Sequence, residues 1–382
     1  MTNRAHVLSG LDNLNSVDAL LKSKRVGLMT NQTGISHRLH SAVDIIHNDY
    51  KLTALFACEH GVRGSEQAGA EFDSYVDAET GVPVFSTYAA PDHRLTGEML
   101  EAFDVFVFDM QDVGARFFTY LYSLSYAMES CAGAGKPMVV LDRINPIGGE
   151  KCEGTILDPA FRSFVGDYEL PTRTGLTIGE YARYVKDYLK LDLDLTVVPI
   201  QGWKRSMYLD DTDLPWVAPS PNCASFAAAM VYSGTCIFEG TNVSEGRGTT
   251  QPFELIGAPW IDSRELERRM NAFNLPGVWF RRAAFSPMFS KHTGKLCHGV
   301  QVHILDRDRA NICHAGLKLM ETIRLLHPQE FQYTNYRERF TVDSLLGTDK
   351  IRTNALTADE AAEAFAPQLS AFQEMSRPYR LY

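Results

Sequence analysis

Five groups of carboxylates, amides and arginines stand at or just after short apolar runs of the chain. Asn31, Gln32 and Thr33 follow RVGLMT (25–30), and Glu59, His60 and Arg63 follow LTALFA (52–57). Asp109, Gln111, Asp112 and Arg116 come at the end of VFVFDM (105–110) and beyond it. Asp142, Arg143 and Asn145 close PMVVLD (137–142). Glu239, Asn242, Glu245 and Arg247 lie in and behind TCIFEG (235–240). Hydroxyl nucleophiles are few and no phosphate cradle is present. These residue types suit acid/base work by carboxylates on a polar, hydrogen-bonding substrate. Glycoside hydrolysis is such a reaction: carboxylates flank the scissile bond, and Asn, Gln, Asp and Arg read the sugar hydroxyls. The aromatics Tyr88, Tyr120, Trp203 and Trp216 are candidates for stacking on sugar faces, although core or interface packing is the commoner role for any single one.

Glu59 is the sharpest candidate, because it emerges directly from an apolar run. Desolvation at such a position favours the protonated form that a general acid needs. The competing expectation is a helix cap or an ion pair with Arg63. Glu239 and Glu245 have a similar alternative as partners of Arg247. Gly246 and Gly248 flank that arginine and suggest a tight loop that brings backbone close to a ligand.

Those groups need a scaffold, and the first 150 residues supply one by alternation. Runs 25–30, 52–57, 83–88, 105–110 and 137–142 read as strands. Stretches around 42–46, 95–100 and 116–132 have helical spacing between them. The pattern predicts βα units on a mostly parallel sheet buried on both faces. In such sheets ligands bind beyond the carboxyl ends of the strands, which is where the polar groups fall. Residues 143–175 are rich in Gly and Pro and read as an excursion. Thr177 and Glu180 predict a capping box for a helix to about 190, followed by a strand at 195–200. Residues 223–231 read as a helix and 235–240 as a further strand. The expected domain boundary lies near 250, giving a first domain over 1–250 and a smaller α+β domain over 251–382 that closes the cleft. Strands at 278–285 and 299–305 and helices around 315–326 and 358–375 are expected there, the last with a Thr357–Glu360 capping box.

Composition narrows the function classes. The chain has 382 residues, 45% of them apolar and 22% charged, as in ordinary globular proteins. With 37 Lys and Arg against 47 Asp and Glu the net charge is −10, which argues against a nucleic-acid or anionic-membrane binder. No apolar run is long enough to span a bilayer, and MTNRAHVLSGLDNL does not resemble a secretory signal. The seven cysteines are scattered and never form CxxC, which suits free thiols in a reducing cytosol. GxGxxG, GxxxxGK[ST], GxSxG and HExxH are all absent. Asp109 and Asp112 have the chemistry to hold Mg²⁺ but fit a turn anchor as well. His37 and His40, three apart, are read as loop histidines, and no metal site or cofactor is expected.

Several motifs carry a family resemblance. VGLMTNQTG, ALFACEHGVRG, FDMQDVGARFFTYL, VVLDRINPIGG, WVAPSPN, EGTNVSEGRGTTQPFE, GVQVHILDR and RPYRLY occur in order over nearly the whole chain. Together they resemble the NamZ-type exo-β-N-acetylmuramidases, glycoside hydrolase family 171. The resemblance implies a Rossmann-like N-terminal domain, helices on both sheet faces, and a cleft against a smaller C-terminal domain. It implies release of N-acetylmuramic acid from the non-reducing ends of peptidoglycan fragments. It also makes Glu59, in the EHG motif, the leading catalytic candidate. Cys58 stands where the family motif usually has proline.

On this reading Glu59 protonates the glycosidic oxygen. The second group is Glu245 or Asp109 acting as nucleophile or base, or the substrate's own 2-acetamido oxygen. Asn242 or Asp112 would orient that acetamide, with Asn31, His60, Gln111 and Glu239 as further sugar contacts. Arg63, Arg116 and Arg247 are equal candidates for the lactyl carboxylate of muramic acid. The expected location is the cytoplasm, or outside the cell if a leader has been removed, and the oligomeric state is left open. The rivals are a non-catalytic muropeptide-binding protein and a metal-dependent phosphoester or amide hydrolase built on Asp109, Asp112 and His60.

Overall fold

The computed structural model describes residues 4–59, 61–64, 73–336 and 338–382. Strands β1 (Arg25–Thr30), β2 (Lys51–Ala57), β3 (Tyr75–Val76), β4 (Pro83–Ser86), β5 (Val105–Asp109) and β6 (Met138–Leu141) precede a hairpin. The hairpin is β7 (Glu153–Ile156) and β8 (Pro171–Arg173), and β9 (Leu195–Val198) follows it. Seven of these form one sheet in the order β3-β4-β2-β1-β5-β6-β9, in which only the edge strand β3 runs antiparallel. The expected mostly parallel sheet is borne out.

Central strands β1, β5 and β6 are apolar and almost wholly buried because helices cover both faces. One face seats Met29, Phe56, Phe106 and Phe108 against the helix Tyr120–Gly133. The other seats Val26, Leu28, Leu55 and Val107 against the helix Ala42–Asp49. The rings of Phe56, Phe103 and Phe106 meet at centroid separations of 5.1–5.6 Å. Gly27 in β1 leaves them room, since a Cβ there would lie 2.9 Å from ring atoms of Phe56 and Phe103.

The chain builds outward from β1 to β2 and β4, then crosses back to β5 and builds the other way. The order therefore reverses between β1 and β5. Two bonds lock their carboxyl ends together: Thr30 Oγ1 donates to the Asp109 carbonyl at 2.7 Å, and the Gln111 amide donates to Thr33 Oγ1 at 2.9 Å.

A second, antiparallel sheet holds β10 (Leu255–Ala258), β11 (Val278–Phe285) and β12 (Cys297–Ile304) in the order β10-β12-β11. The helices Ser263–Ala272, Ile312–Leu326 and Ala358–Ser376 belong to this smaller part. The capping boxes of Thr177 with Glu180 and of Thr357 with Glu360 both form. The chain then returns to the first sheet: the Leu381 amide donates to Glu180 Oε1 at 2.9 Å, and the Tyr382 hydroxyl donates to Asp142 Oδ2 at 2.7 Å.

One expected strand is absent. Residues 235–240 continue from the helix Phe226–Thr235 into a 3-10 turn, Cys236–Gly240. Their apolar side chains are buried without a neighbouring strand to pair with, and a short apolar run does not distinguish strand from helix. Gly240 passes so close to the helix Thr341–Leu346 that a Cβ would sit 2.4 Å from the Val342 amide nitrogen.

Candidate active site

Glu59 leaves β2 after Cys58, at the carboxyl end of the parallel sheet. Thr119 Oγ1, at the N-terminus of the helix Tyr120–Gly133, donates to Glu59 Oε2 at 2.7 Å. This side of the site also presents Phe117, Phe118, Tyr120 and Val165. Tyr120 is held from behind, its hydroxyl donating to the Pro219 carbonyl.

The facing wall comes from residues 239–247 and from the loop between β11 and β12. Ser244 exchanges two backbone bonds with Gly257 of β10, at 2.8 and 3.0 Å, which fixes the start of the loop. Gly248 then turns at φ +81°, and a Cβ on it would lie 2.5 Å from the Phe289 carbonyl oxygen. Glycine is therefore required for the two loops to touch. Their contact seats Glu245, whose side chain is only 2% exposed, between two cations. Lys291 Nζ donates to Glu245 Oε2 at 2.8 Å, and Arg247 Nε lies 3.3 Å from Oε1. Arg247 also donates to Glu239 and stacks 5.4 Å from the Phe253 ring centroid. Burial works against its charge, but the two glutamates outweigh it and hold the guanidinium above its ordinary range.

Glu59, Glu239, Glu245, Arg247 and Lys291 thus line one cleft of about 440 Å³. Four were expected from sequence, and Lys291 was not. Thr119, Tyr232 and Ser290, which also line the cleft, were missed too. No local motif marks Lys291; only the pairing of β11 with β12 carries its loop to Glu245.

Other expected site residues are drawn away from this cleft. Asp109 is fully buried at the strand reversal and bonds Arg143 bidentately, at 2.6 and 2.8 Å. Burial pushes its carboxyl up and Arg143 opposes the shift. A carboxylate so enclosed is a structural anchor, not a nucleophile open to substrate. Asp112 Oδ2 accepts from the Gly114 amide at 2.6 Å, and burial raises its carboxyl to about 7. Arg116, expected as an anion reader, has no exposed surface. It donates to the carbonyls of Thr155, Leu170 and Leu345, each at 2.7 Å, and burial lowers it to about 10.

Arg63 turns to Asp77 and Glu79, at 3.0 and 2.9 Å. Asn242 ties its loop to the backbone of Glu330 and Gln332, at 2.8 and 3.0 Å. Asn31 accepts from the Thr33 amide and hydroxyl, and Gln111 donates to the carbonyls of Asp112 and Ile144. His60 lies outside the described residues. Among those described, the one triad of potential metal ligands is His6, His37 and Asp213, which includes neither Asp109 nor Asp112. All seven cysteines are free thiols. Among the described residues no helix is long and apolar enough to cross a membrane.

The scaffold and its cleft place the chain among α/β enzymes that line their sites with carboxylates. Residues 26–227 match the family described as exo-β-N-acetylmuramidase NamZ, N-terminal, and residues 230–382 match its C-terminal counterpart. The chain belongs to the NamZ exo-β-N-acetylmuramidase family, as its motifs had suggested. It is 48% identical over 367 residues to the peptidoglycan β-N-acetylmuramidase NamZ of Bacillus subtilis, covering 95% of this chain and 88% of the relative. Two DUF1343 family proteins of Bacteroides fragilis share the fold. One has a TM-score of 0.90 at 34% identity, covering 99% of both chains. The other has a TM-score of 0.76 at 31% identity, covering 98% of this chain and 99% of its own.

Proposed function

We propose that this chain is an exo-acting glycoside hydrolase that releases N-acetylmuramic acid from the non-reducing ends of peptidoglycan fragments. The observation that supports this reading beyond family membership is the meeting of Glu59 with Glu245 and Arg247 across one open, polar cleft. Glu59 gives its proton to the glycosidic oxygen, and Thr119 orients its carboxyl. Glu245, steadied by Lys291 and Arg247, supplies negative charge to the oxocarbenium-like transition state as nucleophile or base. The substrate's acetamido oxygen is the alternative nucleophile, with Glu245 then polarising it. Arg247 is the cleft-lining member of the three candidate arginines and reads the lactyl carboxylate. Two carboxylates and two cations share its wall, so the wall does not repel an anionic sugar. The free thiols favour a reducing compartment.

Incubation with a disaccharide bearing non-reducing N-acetylmuramic acid tests the activity, and Glu59→Gln tests the role. The variant should fold normally and lose about 10²–10⁴-fold in kcat on the disaccharide. It should lose less on 4-nitrophenyl N-acetylmuramide, whose leaving group needs little protonation. Near-normal turnover of the disaccharide by folded Glu59→Gln would remove Glu59 from the acid role.

A further inference from the structure

Away from the cleft, three segments distant in sequence bring two histidines and an aspartate together. His6 Nδ1 lies 2.7 Å from Asp213 Oδ2, and His37 Nε2 lies 3.0 Å from the same oxygen. All the candidate ligand atoms fall within 4.8 Å of one another. Each backbone position is fixed independently. Ala5 exchanges bonds with residues 211 and 213, the Asp211 carbonyl accepting at 2.8 Å and the Asp213 amide donating at 2.9 Å. The Val7 amide donates to Asp213 Oδ1 at 3.0 Å, which orients the carboxylate and leaves Oδ2 toward the histidines. The His37 amide is held by Asp12 Oδ1 at 2.7 Å.

His37 Nε2 is the telling atom. It is buried, points at a carboxylate oxygen 3.0 Å away, and has no other hydrogen-bond partner among the described residues. Two ring nitrogens thus converge on one carboxylate oxygen. We propose that His6, His37 and Asp213 form a binding site for a divalent late first-row transition metal, with Zn²⁺ as the best match. Two imidazole nitrogens and one carboxylate oxygen are a zinc-type donor set, whereas Mg²⁺ and Ca²⁺ prefer oxygen alone.

Zinc bonds of 2.0–2.1 Å in tetrahedral array put ligand atoms about 3.3 Å apart. The two His–Asp separations need only small expansion to reach that. The two nitrogens must close toward each other, and the His6 side chain, 65% exposed, is free to swing. Water would take the fourth position. An ion here ties the segment around residue 6 and the loop around 213 to the loop that follows β1. The sequence pattern paired His37 with His40, three residues on; the structure pairs it with groups 31 and 176 positions away.

The test uses the full chain, with any affinity tag removed, dialysed against chelator and then titrated with Zn²⁺ by calorimetry and equilibrium dialysis. About one equivalent should bind per chain, with a rise in Tm, while Mg²⁺ gives neither. His6→Ala and Asp213→Asn should each weaken Zn²⁺ binding at least about tenfold and abolish the rise in Tm. His6→Ala changes an exposed side chain, so it should keep wild-type circular dichroism and turnover. His40→Ala should bind as wild type. Absence of a saturable equivalent, or unchanged binding in folded His6→Ala and Asp213→Asn, would overturn the site.

Discussion

Lys291 Nζ lies 2.8 Å from Glu245 Oε2 and joins two loops 46 positions apart in the chain. The same ammonium donates to the carbonyls of Phe238, at 2.7 Å, and Val243, at 3.1 Å. All three of its protons are thereby committed to protein atoms. Lys291 is a positioning group, and what it positions is the most deeply buried carboxylate of the cleft.

Lys291→Met keeps the stem and removes the charge. It leaves Glu245 buried with one cation fewer, a change that costs about 3–5 kcal/mol when a pair is fully buried and less here because Lys291 is a quarter exposed. Urea melts should show that loss, and kcat should fall at least about tenfold while KM moves less. Lys291→Arg should recover part of both. Wild-type stability and kcat in Lys291→Met would refute the positioning role.

Arg247→Lys keeps a cation but loses the planar fork. A charge-assisted contact is worth about 1.5–3 kcal/mol, so preference for N-acetylmuramides over N-acetylglucosaminides should drop roughly ten- to a hundredfold in kcat/KM. Arg63→Lys, already committed to Asp77 and Glu79, should leave the preference intact. If the two variants behave alike, the lactyl carboxylate is read by another group.

Arg116→Met separates the anion-reading role that sequence assigned equally to three arginines from the structural role that burial gives Arg116. The change strands three buried carbonyls, each worth about 1–3 kcal/mol when left unpaired. Denaturant unfolding should show a loss above about 3 kcal/mol, with an unchanged KM for the fraction that folds. A stable variant with a raised KM would move Arg116 to the binding site.

Asp112 sets a pH dependence of known sign. Its ordinary value is 3.8 and burial raises it to about 7, so between those limits the folded chain holds more protons than the unfolded chain. Its contribution to stability is fully present below about pH 4 and is lost as pH rises through 7. Asp142, raised to about 7 by burial, acts with the same sign. Asp112→Asn cannot titrate, so the Tm of wild type relative to Asp112→Asn should be higher at pH 5 than at pH 7.5. A wild-type advantage that grows toward pH 7.5 would contradict the assignment.

The central strands were legible because burial on both faces makes β1, β5 and β6 apolar except at their ends. Glu59 was legible because it ends such a run. Strand β11 was expected at 278–285 and forms there, helped by alternation of buried and exposed positions. Segment 236–240 was not legible, since a short apolar stretch such as Cys236, Ile237 and Phe238 buries itself equally well as a turn. Nor could the arginines be ranked: Arg116 and Arg247 both follow apolar runs near glycines, and only tertiary packing sends one to carbonyls and the other to glutamates. Lys291 and the meeting of His6 with Asp213 depend on long-range pairing that leaves no local trace.

The return of residues 381 and 382 to the first sheet has a mechanical consequence. A jaw-like rotation between the two sheets would have to peel Tyr382 from Asp142 and Leu381 from Glu180, and pull Leu345 off Arg116 at the same time. None of these residues lines the cleft, so the halves are tied together outside it. Any such rotation therefore has to break these bonds or pivot about them, which makes residues 381 and 382 the place where relative motion of the halves is restrained.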